Sequence, residues 1–276
     1  MSSTGIGEGQ AELSRKQRRE AARAERKAAE QALAASALRR RRLKQLGVVL
    51  AVVVVGIVAV LVATGGGRKS GIPQAPGQRA VDSEISTELR GIAQNGNVLG
   101  NPAAPVTLQY FGDLECPVCR EFTLSALPGI VQKWVRGGEL KVEYRSLQTA
   151  TREAEVFKAQ QVAALAAGKQ DKLWDFVETF YHEQGEEDTG YATESYIQGI
   201  AKQVPGLNLS AWMSARGESA LANQVASDGQ AANSAGLDGT PAFLIGRSGG
   251  ALKRFEPSSL TESGAFDEAI EKLVKS

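Results

Sequence analysis

Cys116-Pro117-Val118-Cys119 holds the only two cysteines of the 276-residue chain. They follow a short apolar run, Val106-Thr107-Leu108-Gln109-Tyr110-Phe111, and precede a segment that reads as helix with Pro117 in its first turn. Two thiols separated by two residues at a strand-to-helix junction can close into a disulfide and reopen. The first thiol sits where helix N–H groups and the helix dipole favour a thiolate. Cys116 is expected to be the exposed sulfur, and Cys119, one turn in, the buried one. A substrate thiolate would attack Cys116 and form a mixed disulfide. A second would displace Cys116, which leaves more readily as its pKa falls. In the reverse direction Cys119 releases the substrate.

Two other chemistries compete for the pair. A structural disulfide closing so small a loop removes little entropy from the unfolded chain. A zinc site wants about four ligands, and the chain offers no further cysteine and a single histidine, His182. A redox dithiol needs no further ligand, no metal and no cofactor. Gly65-Gly66-Gly67 follows no strand and is not a phosphate loop.

The elements that must position the pair belong to a chain of globular composition, 42% hydrophobic and 23% charged. The net charge of +1 conceals an asymmetry. Residues 1–45 carry 12 of the 32 Lys/Arg and 5 of the 31 Asp/Glu, so that tail is basic and the rest mildly acidic. The positive charge lies outside the folded part, which argues against nucleic-acid binding. Between them Leu46–Ala63 runs 18 residues without a charge. At about 1.5 Å per residue such a helix spans roughly 27 Å, close to a bilayer core. A buried core helix is the alternative, but this run has no polar face to show water. Arg39-Arg40-Arg41-Arg42 and Lys44 precede it, against Arg68 and Lys69 after it. The expected topology is a cytoplasmic N-terminus and an extracytoplasmic body at the cell membrane. A cleaved signal peptide fits less well, because the apolar run is long and Ala63-Thr64-Gly65 is a poor cleavage site. Arg41-Arg42-Leu43-Lys44 only faintly resembles a twin-arginine signal.

The expected domains are a basic tail (1–45), a transmembrane helix (46–63), a Gly/Pro-containing stalk (64–97) with one short helix near Asp82–Ile92, and a folded body (98–276). Within the body Val106–Phe111 reads as a strand. The helix after the cysteines should run to about Arg136 with a kink at Pro128. Leu140, Val142 and Tyr144 alternate with charged residues, as in a half-exposed strand. Residues 151–235 read as helical, with Leu173, Phe176, Val177 and Phe180 on one stripe. Ala242–Ile245 and Leu252–Phe255 form a hairpin across Gly249-Gly250. Phe266, Ala269, Ile270 and Leu273 mark a last helix. Trp134, Trp174 and Trp212 read as packing residues, and His182 as a surface or capping residue.

Leu99-Gly100-Asn101-Pro102-Ala103-Ala104-Pro105-Val106-Thr107, followed by Phe111-Gly112-Asp113-Leu114-Glu115-Cys116-Pro117-Val118-Cys119-Arg120-Glu121-Phe122, resembles the opening of DsbA-like thioredoxin-fold proteins. It is most similar to the membrane-anchored, BdbD-like branch of Gram-positive bacteria. Gly239-Thr240-Pro241, about 120 residues later and before the late strand, resembles the family's cis-proline loop. Without the cysteines Pro241 would read as an ordinary strand-start proline. The resemblance spans about residues 98–276. It implies an α/β thioredoxin fold with an inserted helical domain, here about 151–235, preceded by a single N-terminal transmembrane helix. It implies catalytic Cys116 and Cys119, supported by Pro117 and Val118. It also implies substrate binding at Thr240 and a cis Pro241, with the Thr240 backbone pairing with an extended substrate. The partners implied are exported cysteine-containing proteins and a membrane quinone-linked thiol oxidase.

Two positions depart from that pattern. Relatives carry an acidic residue six before the first cysteine, where this chain has Tyr110. Asp113 and Glu115 are candidate substitutes, with solvated loop acids the favoured view of them. Val118 replaces the histidine of the most oxidising members, which implies a less acidic Cys116 and a milder oxidant. The function expected is a membrane-tethered thiol–disulfide oxidoreductase that forms disulfides in exported proteins. A reductase or isomerase of the same fold and a non-catalytic peptide-binding or chaperone module are the alternatives.

Overall fold

The computed structural model describes residues 85–276. The basic tail, the apolar run and most of the expected stalk lie outside those residues. Among the described residues no helix is long and apolar enough to cross a membrane.

Six strands form one sheet in the order β1-β2-β4-β3-β5-β6. They are β1 (Gln94–Asn95), β2 (Val98–Leu99), β3 (Val106–Gly112), β4 (Leu140–Ser146), β5 (Ala242–Arg247) and β6 (Lys253–Phe255). β3 and β4 are parallel, and α1 (Pro117–Ile130) connects them. The other pairings are antiparallel. β3 is central and buried along its length except at Gln109, which suits its nearly unbroken apolar run. In β4 the even residues Leu140 to Ser146 are buried and the odd ones half-buried, as the alternation predicts.

α1 carries Pro128 inside it. Proline has no N–H for the helical ladder. The helix continues as a π-helical stretch, Val131–Val135, in which Arg136 N–H donates to the Val131 carbonyl at 2.9 Å. Gly138, at φ 79°, ends it.

Five helices lie between β4 and β5: α2 (Ala154–Gly168), α3 (Leu173–His182), α4 (Glu194–Gln203), α5 (Leu209–Ala215) and α6 (Ser219–Ser234). The last element is α7 (Gly264–Lys275), which packs on α1, β3 and β5 and buries Phe266 and Ile270. This is a thioredoxin-like α/β fold with a helical insertion. The expected stripe of α3 is buried, and so are Trp174, Asp175, Glu178, Thr179 and Tyr181, because α1, α2 and α4 enclose the helix. Trp134, Trp174 and Trp212 are all buried.

The folded body begins before Val98. Ile85 and Leu89 belong to the core, and β1 pairs with β2 across a two-residue turn at Gly96-Asn97. Gly96 has φ 61°, the left-handed conformation such a turn uses. Gln94 fastens the hairpin to α3: its Nε2 donates to Asp175 Oδ2 at 2.6 Å, and its Oε1 accepts from Trp174 N–H at 3.1 Å. At least from Ile85 onward the expected stalk is therefore part of the fold. The hairpin turn also touches the end of α2, where a Cβ on Gly168 would sit 2.9 Å from the Gly96 carbonyl oxygen. Gly168→Ala should lower stability by about 1–3 kcal/mol. The check is a reduced urea midpoint with an unchanged m-value.

Candidate active site

β3 ends at Gly112, and a short loop hands the chain to α1. Cys116 is the N-cap of α1, with extended backbone (φ −72°, ψ 118°), and Pro117 is the first helical residue. Cys119 N–H donates to Cys116 Sγ at 3.4 Å, so the sulfur occupies the place of a capping oxygen. Cys119 has no exposed surface, and Cys116 is only 5% exposed. The expectation of an exposed Cys116 is thus corrected, though Cys119 remains the deeper of the two. The cover comes from the other end of the fold. The Thr240–Pro241 bond is cis, and Thr240 presents its carbonyl oxygen 3.4 Å from Cys116 Sγ. Gln184, just past α3, donates to the carbonyls of Leu114 and Cys116 at 2.9 and 3.1 Å and holds the loop from the insertion side.

Phe122 fixes the helix beneath the sulfurs. It lies three residues after Cys119, on the same face, and meets Tyr110 of β3, Phe243 of β5 and Phe266 of α7 at centroid distances of 4.9, 4.8 and 5.5 Å. Aromatic contacts of this kind each add about 0.5–1.5 kcal/mol beyond area burial.

Tyr110, six residues before Cys116 where the resemblance led to the expectation of an acid, is fully buried. Its hydroxyl lies 3.1 Å from Tyr181 Oη and 3.2 Å from Thr123 Oγ1, and donates to the Cys119 carbonyl at 3.4 Å. Tyr181 Oη donates onward to the Asp113 carbonyl at 3.1 Å. Neither Asp113 nor Glu115 is the solvated acid expected. The Asp113 carboxylate has no exposed surface and gathers five donors. Oδ2 accepts from Thr149, Ala150 and Thr151 N–H, each at 2.9 Å. Oδ1 accepts from the Thr151 hydroxyl at 2.5 Å and Glu115 N–H at 3.1 Å. Hydrogen bonds to a charged group contribute about 1.5–3 kcal/mol each, which is what allows a carboxylate to stay buried. Glu115 is buried too, and accepts from Gln160 Nε2 at 2.5 Å.

Val118 is 39% exposed and stands at the lip of a groove of about 270 Å3, whose walls include Leu237, Thr240, Pro241, Phe255 and Leu260. Cys116, Cys119, Pro117, Val118, Thr240 and Pro241 are thus brought together, although Thr240 and Pro241 come from a loop more than a hundred residues away. His182 is in the last turn of α3. Sequence reasoning missed Tyr181, Thr123, Thr149 and Gln184. For Asp113 a signal existed, since an Asp accepting from the N–H two residues on is a turn-forming pattern.

The family model described as Thioredoxin matches residues 93–256. The chain belongs to the thioredoxin family. Disulfide bond formation protein D of Bacillus subtilis is 25% identical over 183 residues, which cover 64% of this chain and 77% of that protein. The crystal structure of oxidised BdbD from Bacillus subtilis superposes with a TM-score of 0.56 at 22% identity, covering 67% of this chain and 98% of that one. That of Wolbachia pipientis alpha-DsbA1 gives 0.55 at 18% identity, covering 67% and 92%. Within the family the chain is DsbA-like, and it is a thiol–disulfide oxidoreductase.

The electrostatics of the oxidoreductase split its two thiols. Cys116 is lowered from 9.0 to about 6. The largest cause is the hydrogen bond from the Cys119 side chain; burial opposes it, and the Thr240 hydroxyl and the N–H groups of Cys119 and Val118 assist. Cys119 moves the other way, raised well above its ordinary value by burial and by its role as donor to Cys116. Acidity that Val118 cannot supply by charge therefore comes from the partner thiol and the helix end. Tyr110 and Tyr181 are raised far above the ordinary phenol value, chiefly by burial, so both hydroxyls stay protonated. Burial also raises Glu115.

A pH dependence follows from Cys116. In the unfolded chain it holds its proton up to about pH 9, and in the folded chain it loses it near 6. Between those values the unfolded state binds the extra proton, so this group's stabilisation grows as pH rises. It is full above the unfolded value and lost as pH falls through about 6. The reduced protein should gain stability over Cys116→Ala from pH 6 to pH 9, as read from urea midpoints in matched buffers.

Proposed function

We propose that the chain is a membrane-tethered, extracytoplasmic oxidoreductase that forms disulfides in exported cysteine-containing proteins. The observation that carries this reading is an acidified Cys116 with a buried, protonated Cys119 behind it, facing Thr240 at the edge of the groove. Donors that hold the Cys116 thiolate stabilise the reduced pair, which makes the disulfide a ready oxidant. The tether is supported by the uncharged run of residues 46–63 and the basic flank Arg39–Arg42 and Lys44.

The chemistry runs by exchange. A client thiolate attacks Cys116 Sγ of the Cys116–Cys119 disulfide. That bond breaks as the mixed disulfide forms, and Cys119 leaves with the electron pair and takes up a proton, as its burial favours. A second client thiolate attacks the client sulfur, and Cys116 leaves as the thiolate that Cys119, Thr240 and the helix N–H groups stabilise. The client has lost two electrons and the pair holds them as a dithiol. A membrane quinone-linked thiol oxidase would restore the disulfide. The client segment would lie extended along the groove, paired with the Thr240 backbone and with an apolar side chain against Leu237, Phe255 and Leu260.

Cys119→Ser removes the resolving sulfur and should accumulate mixed disulfides through Cys116 in membranes, seen as reducible adducts on non-reducing electrophoresis. Absence of adducts, with client oxidation unchanged in Cys116→Ser, would favour a binding module whose cysteines are inert.

A further inference from the structure

The groove beside the cysteines is lined by three charged side chains, Asp238, Arg254 and Glu256. Arg254 stands on β6, the edge strand of the sheet, and its guanidinium is engaged at two edges. Its Nε faces Glu256 Oε1 at 2.9 Å, and its Nη1 donates to the Gly236 carbonyl at 2.8 Å. Gly236, at φ 68°, closes α6 and starts the loop that carries Thr240 and Pro241. The arginine therefore ties β6 to that loop, and Glu256 answers its charge. Asp238 lies within the loop, two residues before Thr240. It is exposed and has no hydrogen-bond or ion-pair partner among the described residues. One cation against two carboxylates leaves the groove a negative charge, and Asp238 carries it.

An extended client paired with the Thr240 backbone passes this carboxylate. Two residues of extended chain span about 6–7 Å. That is inside the Debye length of about 8 Å at physiological salt, so a client charge at such a distance is felt. A Lys or Arg there meets an opposite charge that has no other partner, and an Asp or Glu meets a like charge. We propose that Asp238 is a specificity-determining residue: the groove takes client segments with Lys or Arg close to the exchanging cysteine and disfavours acidic ones. Arg254 does not reverse the preference, since Glu256 and the Gly236 carbonyl already hold it. The same client charge helps the chemistry, because a cation beside a thiol favours the thiolate that attacks Cys116. The proposal rests on the oxidoreductase reading, with the client lying along the groove.

The test uses the oxidised full chain in detergent and reduced single-cysteine peptides that differ only in Lys, Gln or Glu two residues to either side of the cysteine. The rate of loss of the Cys116–Cys119 disulfide is read by acid quench, maleimide labelling and mass spectrometry. Each rate is divided by that peptide's rate with 2-hydroxyethyl disulfide, a neutral disulfide, which cancels the effect of the charge on the peptide thiol itself. The Lys peptide should react about threefold faster than the Glu peptide, the scale of an exposed ion pair. Salt at about 1 M should remove the difference. Asp238→Asn should bring the ratio close to one, and Asp238→Lys should invert it. Each ratio is internal to one protein, so a change in overall rate does not enter it, and the salt series needs no variant. A wild-type ratio of one, or a ratio unmoved by salt or by Asp238→Lys, would overturn the proposal and leave the oxidoreductase reading standing. Reaction with none of the peptides would overturn both.

Discussion

The hydrogen bond from the Cys119 thiol to the Cys116 sulfur is the interaction on which the site depends. It asks for one sulfur that keeps its proton and one that gives it up, three residues apart. The fold supplies the difference by depth. Cys119 lies inside α1, without contact to water, where a thiolate is costly. Cys116 caps the same helix, where the N–H groups of Val118 and Cys119 and the Thr240 hydroxyl favour negative charge. Each thiol's displacement is a cause of the other's, so the pair titrates as a unit.

The rest of the structure keeps that depth constant. Phe122 wedges α1 against both central strands and the last helix, so the helix cannot ride outward and wet Cys119. The Tyr110, Tyr181 and Thr123 hydroxyls below it satisfy one another and the Cys119 and Asp113 carbonyls. They are polar without carrying charge. A buried acid at the position of Tyr110 would have brought a second titration next to Cys119. With a phenol there, the buried Asp113 carboxylate is spent on organising loops.

What could be read from the residues was whatever local spacing encodes. The apolar run of β3, the alternation of β4, the stripe of α3 and the late hairpin each show a period or a turn residue, and each is found. The cysteines and Gly239-Thr240-Pro241 could be paired only through family resemblance, because nothing local says that residues so far apart meet. The hairpin at residues 94–99 was legible in Asn95-Gly96-Asn97, a two-residue turn signal, but the Gly/Pro composition of the surrounding stretch concealed it. The burial of Cys116, Asp113 and Glu115 was not legible. A cysteine or acid in a loop looks solvated until the helical insertion and the Thr240 loop close over it.

The central claim is that stabilising the Cys116 thiolate makes this disulfide a donor of oxidising equivalents, without a histidine between the cysteines. Its most direct test is the reduction potential of the Cys116–Cys119 pair, measured by equilibrating the protein with glutathione of known poise and quantifying the disulfide. The account predicts a potential well above that of thioredoxin, which is about −270 mV. A value at or below that level would mean that the acidified Cys116 does not favour the reduced pair, and would contradict it.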